Sequence, residues 1–128
     1  MKKDPIVVTG MGLVTPLGCG VMKVWERLLA GQSGVRQIER INVDDLQTTI
    51  AGLVPSSNED DYGLDPDLVT SKKDRKKIDL FTLYALAAAE EALSQAGWRP
   101  ETQEQLDRTA TIIGTGIGGF PVVTAALH

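Results

Sequence analysis

Cysteine and histidine occur once each in these 128 residues, as Cys19 and His128, and aromatic residues make up only 5% of the chain. A single cysteine excludes an internal disulfide framework and cannot by itself hold a metal through thiolates. Long apolar runs are also missing. The opening stretch MKKDPIVVTGMG carries two lysines, but Pro5, Gly10 and Gly12 interrupt what would have to be the apolar core of a signal peptide. No stretch reaches membrane-spanning length, so the sequence predicts a cytoplasmic protein with no membrane role. A surplus of positive charge is lacking too: the net charge is −4, which argues against general nucleic-acid binding. What is present, 42% hydrophobic and 23% charged residues, is ordinary for a globular chain with a core.

The residues then divide into recognisable elements. Ile6 to Thr9 is a β-branched run between Pro5 and Gly10, as expected for a strand buried on both faces of a parallel sheet. Five glycines or prolines between Gly10 and Gly20 specify a loop of defined conformation. Val21, Val24, Trp25, Leu28 and Leu29 predict an amphipathic helix ending at Gly31. Thr48 to Val54 alternates as a strand does, weakened by Gly52 and ended by Pro55. Ser56 to Asp67 is an acidic, turn-rich connection. Thr109 to Gly114 predicts a further buried strand, and the order strand, helix, strand, helix, strand implies an α/β layered fold.

The most distinctive stretch is Ser71 to Trp98, where a basic block leads into the most apolar helix of the chain. The helix body carries Phe81, Leu83, Tyr84, Ala85, Leu86, Ala88, Ala89, Ala92, Leu93 and Ala96, a stripe that needs cover, and Gly97 followed by Pro100 supplies its stop. Lys72, Lys73, Arg75, Lys76 and Lys77 sit at its head, where a helix dipole disfavours cations by roughly 0.3–1 kcal/mol each. Ser71 with Asp74 fits a capping pattern, while Asp79 fits the cap of a fresh helix beginning at Leu80. A charge run is by default a solvated face, and the acidic connection just before it offers partial neutralisation.

GTGIGG at 114–119 satisfies G-x-G-x-x-G after an expected strand, the formal signature of a dinucleotide turn. Pro121 fits a helix start there, but the acidic ribose ligand expected about 20 residues on falls beyond the sequence. A tight-packing glycine turn is the competing reading. Cys19 lies in the first loop with no base near it in sequence, so a small half-buried cysteine is the reading favoured over a Cys–His pair with His128. No carboxylate pair and no metal-ligand cluster stands out.

Four segments in order, VVTGMGLVTPLG at 7–18, WERLLAGQSGV at 25–35, KKDRKKIDLFTLYALAAAEEAL at 72–93 and IIGTGIGGFP at 112–121, closely resemble the N-terminus of β-ketoacyl-acyl carrier protein synthases of the synthase II type. The resemblance covers essentially the whole chain and implies that residues 1–128 are the beginning of the first half of a thiolase-like α/β/α/β/α layered domain. It implies an acyltransferase of fatty acid biosynthesis, a cytoplasmic homodimeric condensing enzyme. That enzyme elongates acyl chains by decarboxylative Claisen condensation of an acyl-enzyme with malonyl-carrier protein. The family's nucleophilic cysteine and two histidines lie later in its sequence; neither Cys19 nor His128 matches them, so the resemblance assigns no catalytic residue here and the chain alone is expected to be inactive. It implies no cofactor or metal, phosphopantetheine arriving on the carrier protein. Lys73, Lys76 and Lys77 match residues that dock acyl carrier protein, with Lys72 and Arg75 as neighbours, and Ile117 matches a residue bordering the acyl pocket. A free-standing α/β module holding a nucleotide at GTGIGG is the alternative.

Overall fold

A computed structural model describes residues 5–120 together with Thr124 and Leu127. The expectations placed on Met1–Asp4, Pro121 and His128 lie outside the described residues. Residues 5–13 form neither helix nor strand. A tight antiparallel hairpin follows, β1 (Val14–Thr15) and β2 (Gly18–Cys19), turning at Pro16 and Leu17. Helix α1 (Val21–Leu29) leads to a second antiparallel hairpin, β3 (Val35–Gln37) with β4 (Ile50–Gly52), registered Val35 to Gly52 and Gln37 to Ile50. Two single helical turns, α2 (Pro66–Val69) and α3 (Lys72–Arg75), precede the long helix α4 (Leu80–Ala96) and the short α5 (Gln103–Asp107).

Local chemistry accounts for the boundaries. Helix α4 stops because Gly97 takes the left-handed conformation (φ 61°), and the amides of Gly97 and Trp98 then cap carbonyls of the last turn. Helix α5 starts on a full capping box: Thr102 accepts from the Gln105 amide, and the Gln105 side chain accepts from the Thr102 amide. That Thr-x-x-Gln signal is plain in the sequence, although the sequence reading placed no helix there. The expected strand 48–54 shortens to Ile50–Gly52. Gly52 has a reason to be small: a methyl group there would lie 3.0 Å from Cγ of Pro16 in the first hairpin.

The two expected buried strands do not form. Ile6 to Thr9 and Thr109 to Ile113 are neither paired nor covered; Ile6 is fully exposed and Ile112 is 93% exposed. The reason is physical, since a central strand needs a hydrogen-bonded neighbour on each side and an apolar layer on each face, and no other described segment supplies them. Both sheets that do form are two-stranded and antiparallel. The core of the described residues is correspondingly small: Val24, Val43, Leu64, Leu83 and Pro55 are buried. Of the α1 stripe only Val24 is buried, with Trp25, Leu28 and Leu29 exposed, and α4, expected to be covered on most sides, buries only Leu83.

The first loop is pinned to α4. Gly10 and Gly12 lie so close to the backbone carbonyls of Ala92 and Ala88 that no side chain could fit at either position. Beside them Gln95 Oε1 accepts the Met11 amide at 2.6 Å, and Glu91 accepts the amides of Leu13 (2.9 Å) and Val21 (2.7 Å). Val21 is the first residue of α1, whose N-cap, Gly20, has no side chain to offer. A carboxylate from α4 therefore serves the exposed amide end of α1, where negative charge is favoured.

Candidate functional site

The basic block is built by consecutive caps. Asp65 accepts the Asp67 amide at 2.9 Å to open α2, with Pro66 at the first helical position. Thr70 returns the chain to extended backbone, and Ser71 then accepts the Asp74 amide at 3.1 Å while its hydroxyl donates to Asp74 Oδ2 at 2.7 Å, opening α3. Asp79 stands at the N-cap position of α4 but makes no side-chain capping bond.

The head of the long helix is thus a separate turn that opens on Lys72 and Lys73, and the fresh helix at Leu80 is the alternative that forms. Arg75 closes α3 and Lys76 is its C-cap, so these cations stand at the end of a short helix where positive charge is tolerated. The spacing Lys72 to Lys76 spans that turn, whereas Lys77 lies beyond it.

Neutralisation by the acidic connection is limited to one residue. Asp67 meets Arg75 Nη2 at 2.8 Å and Lys72 Nζ at 3.9 Å, and within the block Asp74 meets Lys77 Nζ at 3.5 Å. Two of the other acids turn elsewhere: Glu59 binds Arg40 and Asp60 binds Arg27, each at 2.8 Å. Among the described residues Lys73 and Lys76 have no carboxylate within 4.0 Å, and both are exposed. The block therefore presents two uncompensated ammonium groups flanked by Lys72 and Lys77.

The glycine-rich turn lies against the start of α4. Gly114 and Gly116 stand in open space and Ile117 is 81% exposed, but a methyl group on Gly118 would come within 2.7 Å of Cζ of Phe81, and one on Gly119 within 3.1 Å of Oδ2 of Asp79. No strand precedes the turn among the described residues, which removes half of the structural context that a dinucleotide fingerprint requires.

Cys19 is half-buried on β2, its amide donating to the Tyr62 carbonyl at 2.7 Å. Burial, and then the negative charges of Glu91 and Asp60, push its thiol above the ordinary value, the opposite of what a nucleophilic thiolate needs. Nearby, Arg27 donates to the Leu17 carbonyl at 2.6 Å and to Asp60, and its guanidinium stands 5.4 Å from the centre of the Tyr62 ring. Hydrogen bonding from Arg27 and from the Tyr62 amide holds the Asp60 carboxyl below its usual range. Among the described residues no cluster of three or more His, Cys, Asp or Glu side chains could hold a metal, and no helix is long and apolar enough to cross a membrane.

Sequence reasoning missed Glu91, Gln95 and Arg27. The signal for the first two was two polar residues four apart on an otherwise Ala-rich helix; Arg27 carried no signal beyond its place on the polar side of α1.

A hairpin and loop are thus clamped by glycines to a long Ala-rich helix, with a glycine turn at that helix's start. The chain superposes on the ishigamide ketosynthase/chain length factor with a TM-score of 0.60 and 29% identity, over 73% of this chain and 21% of that one. Residues 3–127 match the family described as beta-ketoacyl synthase, N-terminal domain, and the chain belongs to that family. It is 40% identical over 121 residues to 3-oxoacyl-(acyl-carrier-protein) synthase 2 of Rhizobium meliloti (strain 1021), covering 94% of this chain and 29% of that protein. It is 41% identical over 123 residues to the protein of the same name from Vibrio cholerae serotype O1, covering 96% and 28%. The mitochondrial 3-oxoacyl-(acyl-carrier-protein) synthase of Arabidopsis thaliana is 36% identical, with 94% and 29% covered. The chain spans less than a third of the length of these curated relatives.

Proposed function

We propose that this chain is the N-terminal segment of a fatty-acid elongating β-ketoacyl synthase, a cytoplasmic homodimer, in which residues 1–128 begin the first half of a five-layered thiolase-like domain. The reaction is decarboxylative condensation of an acyl-enzyme with malonyl-carrier protein, and the cysteine and two histidines that perform it are supplied from outside these residues. No cofactor is held, the phosphopantetheine thiol being brought by the carrier protein. This segment contributes recognition: Lys73, Lys76 and Lys77, with Lys72 and Arg75 beside them, receive the acidic carrier protein, and Ile117 borders the acyl chain.

The observation that carries the docking role is the incomplete neutralisation of the basic block. The nearest acids pair with other members of the block, Asp67 with Arg75 and Lys72 and Asp74 with Lys77, and Asp60 and Glu59 pair with Arg27 and Arg40, so Lys73 and Lys76 are exposed with no carboxylate within 4.0 Å among the described residues. Such a patch steers an acidic partner and orients it more than it adds raw affinity. Replacing Lys73, Lys76 and Lys77 together by Glu in the natural polypeptide is expected to weaken carrier-protein binding at least tenfold at low salt and to flatten its dependence on salt, as read by titration calorimetry. Unchanged affinity at low salt removes the docking role.

A further inference from the structure

We propose that Phe81 is a positioning residue for acyl-chain selection: its ring is the seat on which the glycine turn rests, and through Gly118 it sets where Ile117 stands. This rests on the reading of Ile117 as a border of the acyl pocket. The geometry is one-sided. Of the four glycines in 114–119, the last two approach other described residues, Gly118 at the tip of the Phe81 ring and Gly119 at the carboxylate of Asp79. Gly114 and Gly116 would meet nothing within 4 Å even if each carried a methyl group, and Ile117 itself is largely exposed.

The position of Ile117 is therefore fixed by its peptide link to Gly118, and Gly118 is fixed by the ring beneath it. Phe81 is the second residue of α4 and is 40% exposed, so this ring is not a fully enclosed core group. A shorter side chain at 81 gives the turn room to sink toward α4 and carries Ile117 with it, while a methyl group added at Gly118 lifts the turn from the same seat. Both changes alter the space next to an acyl tail without touching any group that takes part in bond making.

The test measures kcat/KM of the natural polypeptide with an eight-carbon and a sixteen-carbon acyl-carrier protein, and takes their ratio. Phe81→Leu is expected to change that ratio at least fivefold, and Phe81→Tyr to change it as well, because its hydroxyl extends from Cζ toward Gly118 and lifts the turn. Gly118→Ala is expected to change the ratio as well, by a smaller factor in the Phe81→Leu background than alone, because the shorter side chain leaves room for the methyl group. If Phe81→Leu does not fold, Gly118→Ala carries the test from the other side of the contact. A uniform fall in rate with the ratio unchanged in both variants overturns the proposal, since that is what a merely structural residue would give. An unsubstituted protein that elongates neither substrate overturns the acyl-transfer reading, and this proposal falls with it.

Discussion

At the scale of single residues, the decisive groups are small or polar ones where the sequence pattern emphasises apolar bulk. Gly12 lies directly over the Ala88 carbonyl, and Glu91 on the next turn of the same helix takes the amides of Leu13 and of Val21, the first residue of α1. A side chain at Gly12 cannot be absorbed by rotating a neighbour, because the neighbour is backbone. Gly12→Ala is expected to lower stability by about 2–3 kcal/mol, as overpacking of a close contact does, and urea denaturation of the natural polypeptide checks it. Asp60 gives a prediction in pH. Its carboxyl lies below the ordinary value of 3.8 because Arg27 and the Tyr62 amide bond the charged form. A carboxylate depressed in the folded state contributes stability that is present above the unfolded pKa and lost as pH falls through the folded one. Melting temperatures measured below pH 4 are thus expected to fall less steeply for Asp60→Asn than for the unsubstituted protein.

At the scale of elements, the basic head and the apolar rod behave as two units joined by a turn at Lys76 to Asp79. The capping chemistry of Ser71 and Asp74 was legible from sequence, and so was a fresh helix at Leu80; what was not legible was that both occur, one after the other. This separation lets α4 begin on Asp79 and the uncharged Leu80, with Phe81 facing the glycine turn, while the lysines face outward on a turn of their own. The C-terminal end of α4 depends on Gly97 in the left-handed region. Gly97→Ala is expected to cost about 1 kcal/mol, because the left-handed conformation penalises a Cβ by that order while the site itself is open and adds no clash; thermal denaturation reads the change.

At the scale of the molecule, surface area is the informative quantity. The chain exposes 10467 Å², whereas a compact monomer of 13.8 kDa exposes about 6,600 Å² by the usual scaling. Large apolar side chains are part of that surface: Ile6, Val8, Met22, Leu29, Ile112 and Ile113 are all well exposed. Apolar surface of that extent, with two unpaired β-branched segments, seeks cover from more protein. These 128 residues expressed alone are therefore expected to associate or melt without a sharp transition. Sedimentation velocity and a thermal melt check this; a monodisperse monomer with a cooperative transition contradicts it.

The sequence by itself determined the family, through four segments in order, and most of the local boundaries: α1 ending near Gly31, the stop of α4 at Gly97, the cap at Ser71. These are short-range matters, decided by φ preferences and by side chains bonding amides two or three residues away. Only the tertiary structure decided that Glu91 and Gln95 hold the first loop, that Asp67 goes to Arg75 and Lys72 and Asp74 to Lys77 while Lys73 and Lys76 have no carboxylate within 4.0 Å among the described residues, and that Phe81 meets Gly118. The same distinction explains the two strands that pattern alone overstated. Val-Ile-rich segments state a preference for burial and pairing, but whether Ile6 or Ile112 is buried depends on partners distant in sequence, because a strand's hydrogen bonds, unlike a helix's, lie outside itself.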